Sequence, residues 1–212
     1  LGLIEGTLDL ARIEGGKLTL ERKPMRFRDC MGEIAGLFEL QAAAKGIRFR
    51  AELAADLPEV VRADERRLRQ ILINLLGNAV KFTAQGEVVF RVHYAREMAR
   101  IEIADTGPGM TPEELERVFE PFARGSSAGT AATGGTGLGL TISKMLTDLM
   151  GGEMTVRSTP GLGSTFGLRL FLPALPADTP SAAPPQRLAR GGYAGPRRTI
   201  LVVDNEEADR TL

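Results

Sequence analysis

The longest amphipathic pattern in the chain runs from Asp64 to Thr83. Leu68, Ile71, Leu72, Leu75, Leu76 and Ala79 recur at intervals of three and four and form one apolar stripe, with Asp64 placed to cap the first turn. The spacing predicts a helix that packs on something flat. A second helix is predicted across Met31 to Lys45. Upstream, Leu1, Ile4, Leu8 and Ala11 follow the spacing of a coiled-coil seam, and Gly15-Gly16 ends it because glycine accepts a left-handed C-cap. An ordinary amphipathic N-terminal helix fits those four positions as well. Alternation takes over from Gly86 to Tyr94 and from Ala99 to Ala104, two segments joined by a short polar connection that read as a β-hairpin. A helix from about Leu138 to Met150 and strands near Met154 to Ser158 and Ser164 to Leu172 follow. Strands in hairpins with helices between them predict a mixed α/β (α+β) two-layer sandwich, with helices on one face of a mainly antiparallel sheet.

Composition changes this picture at the C-terminal end. From Pro173 to Pro196 the sequence is rich in Pro, Ala, Gly and Ser, which cannot build a core and reads as a linker; Thr199 to Asp204 then forms a short buried-type strand ending in acidic residues. Lys+Arg and Asp+Glu both number 27, so there is no global pull toward nucleic acid or an anionic membrane, and any phosphate binding must come from local geometry. The single cysteine, Cys30, excludes an internal disulfide framework and a thiolate zinc cluster, fits a reducing compartment and reads as structural. No run reaches the roughly 18 apolar residues of a membrane span, and the start at Leu1-Gly2-Leu3 has neither an initiator Met nor a signal-peptide pattern, which suggests a fragment. His93 shares a strand face with Arg91, opposite Val88, Phe90, Val92 and Tyr94, and reads as a solvated strand residue.

Three segments carry candidate chemistry. Asn74, Asn78 and Lys81 form a polar stripe beside the apolar one on the predicted 64–83 helix; an amide oxygen suits a hydrated Mg²⁺ shared with phosphates, and an ammonium offsets phosphate charge. Taken alone, the stripe is equally a solvated face. Asp105-Thr106-Gly107-Pro108-Gly109-Met110 follows a strand, with glycines that admit a ligand close to the backbone and a carboxylate able to accept from an exocyclic amine. Gly134 to Leu140 leads into a helix, so its N–H groups and the positive helix end could hold phosphate; a hinge is the plain alternative. It matches neither the P-loop nor the dinucleotide fingerprint. The Gly/Ser/Ala/Thr-rich stretch between Phe119 and Thr136 suits a mobile lid.

In this order, the motifs resemble the ATP-binding catalytic domain of sensor histidine kinases, in the superfamily of gyrase, Hsp90 and MutL. Asn74 to Thr83 is similar to the N box, Asp105 to Met110 to the first glycine box, Phe119 to Phe122 to the F box, Gly135 to Leu140 to the second glycine box, and Gly161 to Phe166 to the last. The resemblance implies that Asn78 holds Mg²⁺, that Asn74 and Lys81 act beside the phosphates, and that Phe82 lines the adenine pocket. It implies further that Asp105 takes the adenine amine with Thr165 supporting it, that Gly107 and Gly109 let the chain pass close to the nucleotide, and that Gly137, Leu138, Gly139 and Leu140 wrap the phosphates. Arg124 is expected as a phosphate contact.

The same resemblance divides the chain. Residues 1–20 look like the end of a second dimerisation helix with its connector, 21–173 like the catalytic domain, 174–198 like a linker, and 199–212 like the first strand of a truncated receiver domain, with Asn205 where an acidic residue is more usual. It implies ATP and Mg²⁺ as ligands, and histidine-bearing dimerisation helices and a receiver domain as partners. It also implies a homodimeric full-length hybrid kinase, with this portion cytoplasmic and making no direct membrane contact, whether or not the whole is membrane-anchored. Members that hydrolyse ATP use a glutamate where Asn74 stands; an amide is no general base, so transfer to a histidine is expected in place of hydrolysis. A hydrolytic ATPase and a non-catalytic nucleotide-binding module are the competing readings.

Overall fold

The computed structural model describes residues 7, 8, 10–13, 15–123 and 137–180. Their elements are β1 (Lys23–Arg26), α1 (Phe27–Lys45), β2 (Arg48–Leu53), β3 (Val60–Ala63), α2 (Glu65–Phe82), β4 (Glu87–Ala95), β5 (Met98–Asp105), α3 (Pro112–Arg117), α4 (Gly139–Leu149), β6 (Glu153–Thr159), β7 (Gly163–Phe171) and β8 (Ala174–Leu175).

The central helix is the one the apolar stripe predicts. Asp64 caps α2 by accepting from Arg67 N at 3.1 Å, and Leu68, Ile71, Leu72, Leu75, Leu76 and Ala79 are all buried. Each large aliphatic side chain removed from water there contributes about 1.5–3 kcal/mol. α2 lies between α1 and α4, and this helical layer covers a five-stranded sheet of order β2-β4-β5-β7-β6. Val88, Phe90 and Val92 of β4, Ile101 and Ile103 of β5, and Phe166, Leu168 and Leu170 of β7 form the covered face. The two-layer α/β sandwich is thus present, with β4, β5, β7 and β6 antiparallel and β2 alone joined parallel, to β4. Its open face carries Arg91 between Glu52 and Glu102, and one row further on His93, Arg100, Arg169 and Glu153 in register. His93 is exposed, as its strand position predicts.

A second sheet, β1-β3-β8, forms beside the connector and was not visible in the sequence pattern. Its strands have four residues or fewer, too short for alternation to register. β8 falls inside the stretch read as linker and pairs Leu175 with Val60 and Ala174 with Val61. Helix α1 begins at Phe27, four residues before the expected Met31, because its N-cap, Arg26, makes no side-chain cap bond and so left no start signal. It ends on Gly46 in the left-handed conformation, while Lys45 Nζ donates to the Val80 and Lys81 carbonyls at 2.6 and 2.5 Å and so caps the last turn of α2. Upstream, residues 7, 8 and 10–13 are helical and Gly16 is left-handed at φ 63°; Leu1 and Ile4 of the expected seam lie outside the described residues. The connector is tied in by Glu21 N, which donates to Asp64 Oδ2 at 2.9 Å. Among the described residues, no helix is long and apolar enough to cross a membrane.

Candidate functional site

The polar edge of α2, the end of β5 and the start of α4 meet at one end of the helical layer. Asn74 and Asn78 are half-buried on α2, and Asn74 Nδ2 donates to Ser143 Oγ of α4 at 2.9 Å. A Cβ at position 139 would fall inside the van der Waals envelope of Asn74 Oδ1. The glycine expected to wrap phosphate therefore has a second reason to be glycine: it lets the first turn of α4 close on the Asn74 side chain. Lys81 and Phe82 end the same helix, with Lys81 Nζ 5.0 Å from the Phe82 ring centroid, within cation–π range.

Asp105 ends β5. Its Oδ1 accepts from Gly107 N at 2.8 Å and from Ser164 N at 3.3 Å. Burial pushes its carboxyl above the ordinary carboxylate range, and the two backbone N–H groups oppose that shift without cancelling it. Gly107 is buried against the Phe82 carbonyl, so the end of α2 and the Asp105 turn are in contact. Gly109, at φ 69°, passes under the Thr159 carbonyl, and the turn is held by Met110 N, which donates to Ser158 Oγ at 2.8 Å. The expected support from Thr165 is not found. Thr165 pairs with Ala104, one position out of phase with Asp105, and so belongs to the open face of the sheet; the residue beside Asp105 is Ser164, whose hydroxyl lies 2.9 Å from Ser158 Oγ. A two-residue period decides this, and the choice between adjacent Ser164 and Thr165 could not be made without the register.

At the α4 end, Leu138 is buried and Gly139 and Leu140 begin the helix. Gly137, at φ 70°, accepts from Phe122 N at 3.1 Å, and a Cβ there would press on the Phe122 backbone. This contact joins the two ends of the expected lid. Arg124 and the rest of 124–136 lie outside the described residues. Sequence reasoning missed Ser143, Ser158, Ser164 and Lys45. Each is a common residue type whose role comes from a partner far along the chain, so no local signal marks it.

The donor set has a definite character. Asn74 and Asn78 offer neutral amide oxygens, and among the described residues no cluster of three His, Cys, Asp or Glu could hold a metal by itself. That suits a hard cation arriving with phosphate oxygens and water, not a resident metal in a carboxylate cage. A hollow of about 70 Å³ at Leu20, Asp64, Met150 and Leu172 shares no residue with this cluster and lies at the connector.

Known proteins resemble this chain over most of its length. The family described as "Histidine kinase-, DNA gyrase B-, and HSP90-like ATPase" matches residues 63–174. The aerobic respiration control sensor protein ArcB of Escherichia coli (strain K12) is 40% identical over 178 residues, covering 82% of this chain and 23% of ArcB. The sensor histidine kinase GacS of Pseudomonas protegens is 37% identical over 215 residues, covering 99% of this chain and 23% of GacS. The chain thus spans about a quarter of the length of these curated relatives. Among solved structures, full-length ShkA in complex with AMPPNP superposes with a TM-score of 0.71 at 34% identity, covering 82% of this chain and 36% of ShkA. The chain belongs to the histidine kinase-, DNA gyrase B- and HSP90-like ATPase family, and its match to sensor histidine kinases identifies it as their type of ATP-binding catalytic domain.

Proposed function

We propose that this domain binds Mg-ATP and presents the γ-phosphoryl group to a histidine on a dimerisation helix of the same two-component hybrid kinase, for onward transfer to a receiver aspartate. The observation that carries the reading is the closure of α4 on Asn74: it brings the helix N-terminus at Gly139 against the amide-bearing edge of α2, whose last turn in turn touches the Asp105 loop. In this reading Asp105 accepts the adenine amine, with Ser164 in the supporting place expected of Thr165, and Phe82 packs on the base. Asn78 is the protein ligand to Mg²⁺, which would supply charge neutralisation at the phosphates. Asn74 and Lys81 act beside the phosphates, and N–H groups from Gly137 to Leu140 cradle them, with Arg124 as a further contact.

Asn74 favours transfer over hydrolysis. Water must lose a proton to attack, and a carboxamide cannot take it, whereas a neutral imidazole already carries a nucleophilic lone pair near pH 7. The chain's part is then orientation and charge neutralisation. The expected boundaries also belong here: 1–20 as the end of a dimerisation helix, 21–173 as catalytic domain, 174–198 as linker and 199–212 as the start of a receiver. The same holds for a homodimeric full-length kinase with this portion in the cytoplasm. Titration calorimetry of the 212-residue chain with ATP tests the core of the proposal. Binding that requires Mg²⁺ and is lost in Asn78→Ala, with the thermal midpoint unchanged, is expected. No uptake of Mg-ATP by the folded chain would overturn it.

A further inference from the structure

The Asn74 carboxamide lies against α4: its Nδ2 donates to Ser143 Oγ at 2.9 Å, and its Oδ1 occupies the space that a Cβ at Gly139, one turn earlier on the same helix face, would need. Ser143 is 2% exposed, so its hydroxyl has no access to bulk water, and its backbone is fixed in turn by Thr147 Oγ1, which donates to the Ser143 carbonyl at 2.7 Å. The Asn74 side chain turns about two bonds, and the glycine beside it offers no side chain to hold it, so its place depends on a hydrogen bond.

We propose that Ser143 is a positioning residue for the phosphoryl-transfer site: the hydrogen bond between its hydroxyl and the Asn74 carboxamide holds that side chain at the start of α4. This rests on the nucleotide reading above. An amide can meet a phosphate or a hydrated cation only where its side chain is held, so the anchoring of Asn74 decides what it can do for the ligand. Removing the hydroxyl leaves Asn74 free to turn, and the phosphate end of the ligand would lose a preorganised partner while the base end would not.

The test is a double-mutant cycle on the 212-residue chain: the parent, Ser143→Ala, Asn74→Ala and the double variant, each titrated with Mg-ATP and with Mg-ADP, alongside thermal melts. The role predicts that Ser143→Ala weakens Mg-ATP by about tenfold, the scale of one buried hydrogen bond, and Mg-ADP by less. In the Asn74→Ala background the same change should have no further effect on Mg-ATP. Equal loss for both nucleotides, or equal loss in both backgrounds, would mean that Ser143 acts only through general packing and would overturn the proposal. Should Ser143→Ala fail to fold, Ser143→Thr and Ser143→Val, alike in shape and differing in the hydroxyl, carry the same comparison, and equal Mg-ATP affinity would be the negative result. A parent chain that binds no Mg-ATP overturns the nucleotide reading and this role with it. A parent that binds without coupling overturns this role alone.

Discussion

Asp105 shows how a single residue can be costly to the fold and useful to the site. Burial raises its carboxyl, so relative to the unfolded chain its contribution to stability is fully present below the ordinary carboxylate range and is lost as pH rises through the folded value. Asp105→Asn, neutral throughout, is therefore expected to melt higher than the parent at pH 7 and at the same temperature near pH 3. In the proposed adenine site the ionised carboxylate would also discriminate between bases: it can accept from the adenine amine, but it would oppose the guanine carbonyl, at a cost of about 1–3 kcal/mol. Competition titrations should show ATP preferred over GTP by tenfold or more in the parent and by much less in Asp105→Asn. Equal competition by the two nucleotides in the parent would remove Asp105 from the adenine site. Thr141, 5% exposed on α4, has a buried hydroxyl oxygen with no hydrogen-bond partner among the described residues. Thr141→Val keeps the shape and drops the unsatisfied group, so chemical denaturation should report a gain of about 1 kcal/mol. That Asn74, Asn78 and Lys81 share one edge of a helix and that Asp105 ends a strand was legible from their spacing, whereas Phe82 was singled out by the resemblance alone. Ser143 and Ser164 were not legible, since the first needs α4 laid against α2 and the second needs the β5–β7 register.

Among the elements, α2 and the β4–β5 hairpin were readable because each obeys one period over many residues, 3.6 from Leu68 to Ala79 and 2 from Val88 to Tyr94. β2 carries the alternation Phe49, Ala51, Leu53, but its three charged residues hide it, and its parallel partner is a strand more than thirty positions away. Helix α3, between the Asp105 turn and Phe119, was not expected, although Thr111 and Glu114 make a reciprocal capping box that the sequence does spell out. The open face of the sheet offers an element-scale test. Arg100 and Arg169 lie side by side on neighbouring strands, with His93 on the other flank of Arg100, and directly opposed like charges such as the two arginines destabilise a sheet. Arg100→Glu would set a carboxylate between the two flanking groups. It should raise stability by about 0.5 kcal/mol in spite of glutamate's poor strand propensity, with the gain shrinking in 1 M salt. A loss of stability in low salt would show that the cross-strand charges do not interact.

Across the whole molecule, strand pairing runs on past the point where the family match and the compositional signal both stop. Proline-rich composition marks a linker from residue 174, yet Ala174 and Leu175 complete the small sheet by pairing with β3, and the Pro173 carbonyl accepts from Arg62 N at 2.9 Å. Two residues of pairing are too few for any periodicity to announce, which is why composition alone misplaces them. A chain ending after Pro173 should be less stable than one ending after Pro180 by about 1 kcal/mol, read from urea midpoints at constant m-value. Indistinguishable midpoints would mean that β8 contributes nothing to the fold.

Among the described residues the five-stranded sheet has two unpaired borders, β2 and β6, and both present charge: Arg48, Arg50 and Glu52 on one, Glu153 and Arg157 on the other. A backbone border of that kind is a template for another chain, and charged side chains along it discourage stacking. Solubility at high concentration is thus written into residues with no part in chemistry. Arg50→Val with Arg157→Val would be expected to leave the monomer folded and turn its solutions turbid, with fibrillar aggregates growing by strand addition at these two rims.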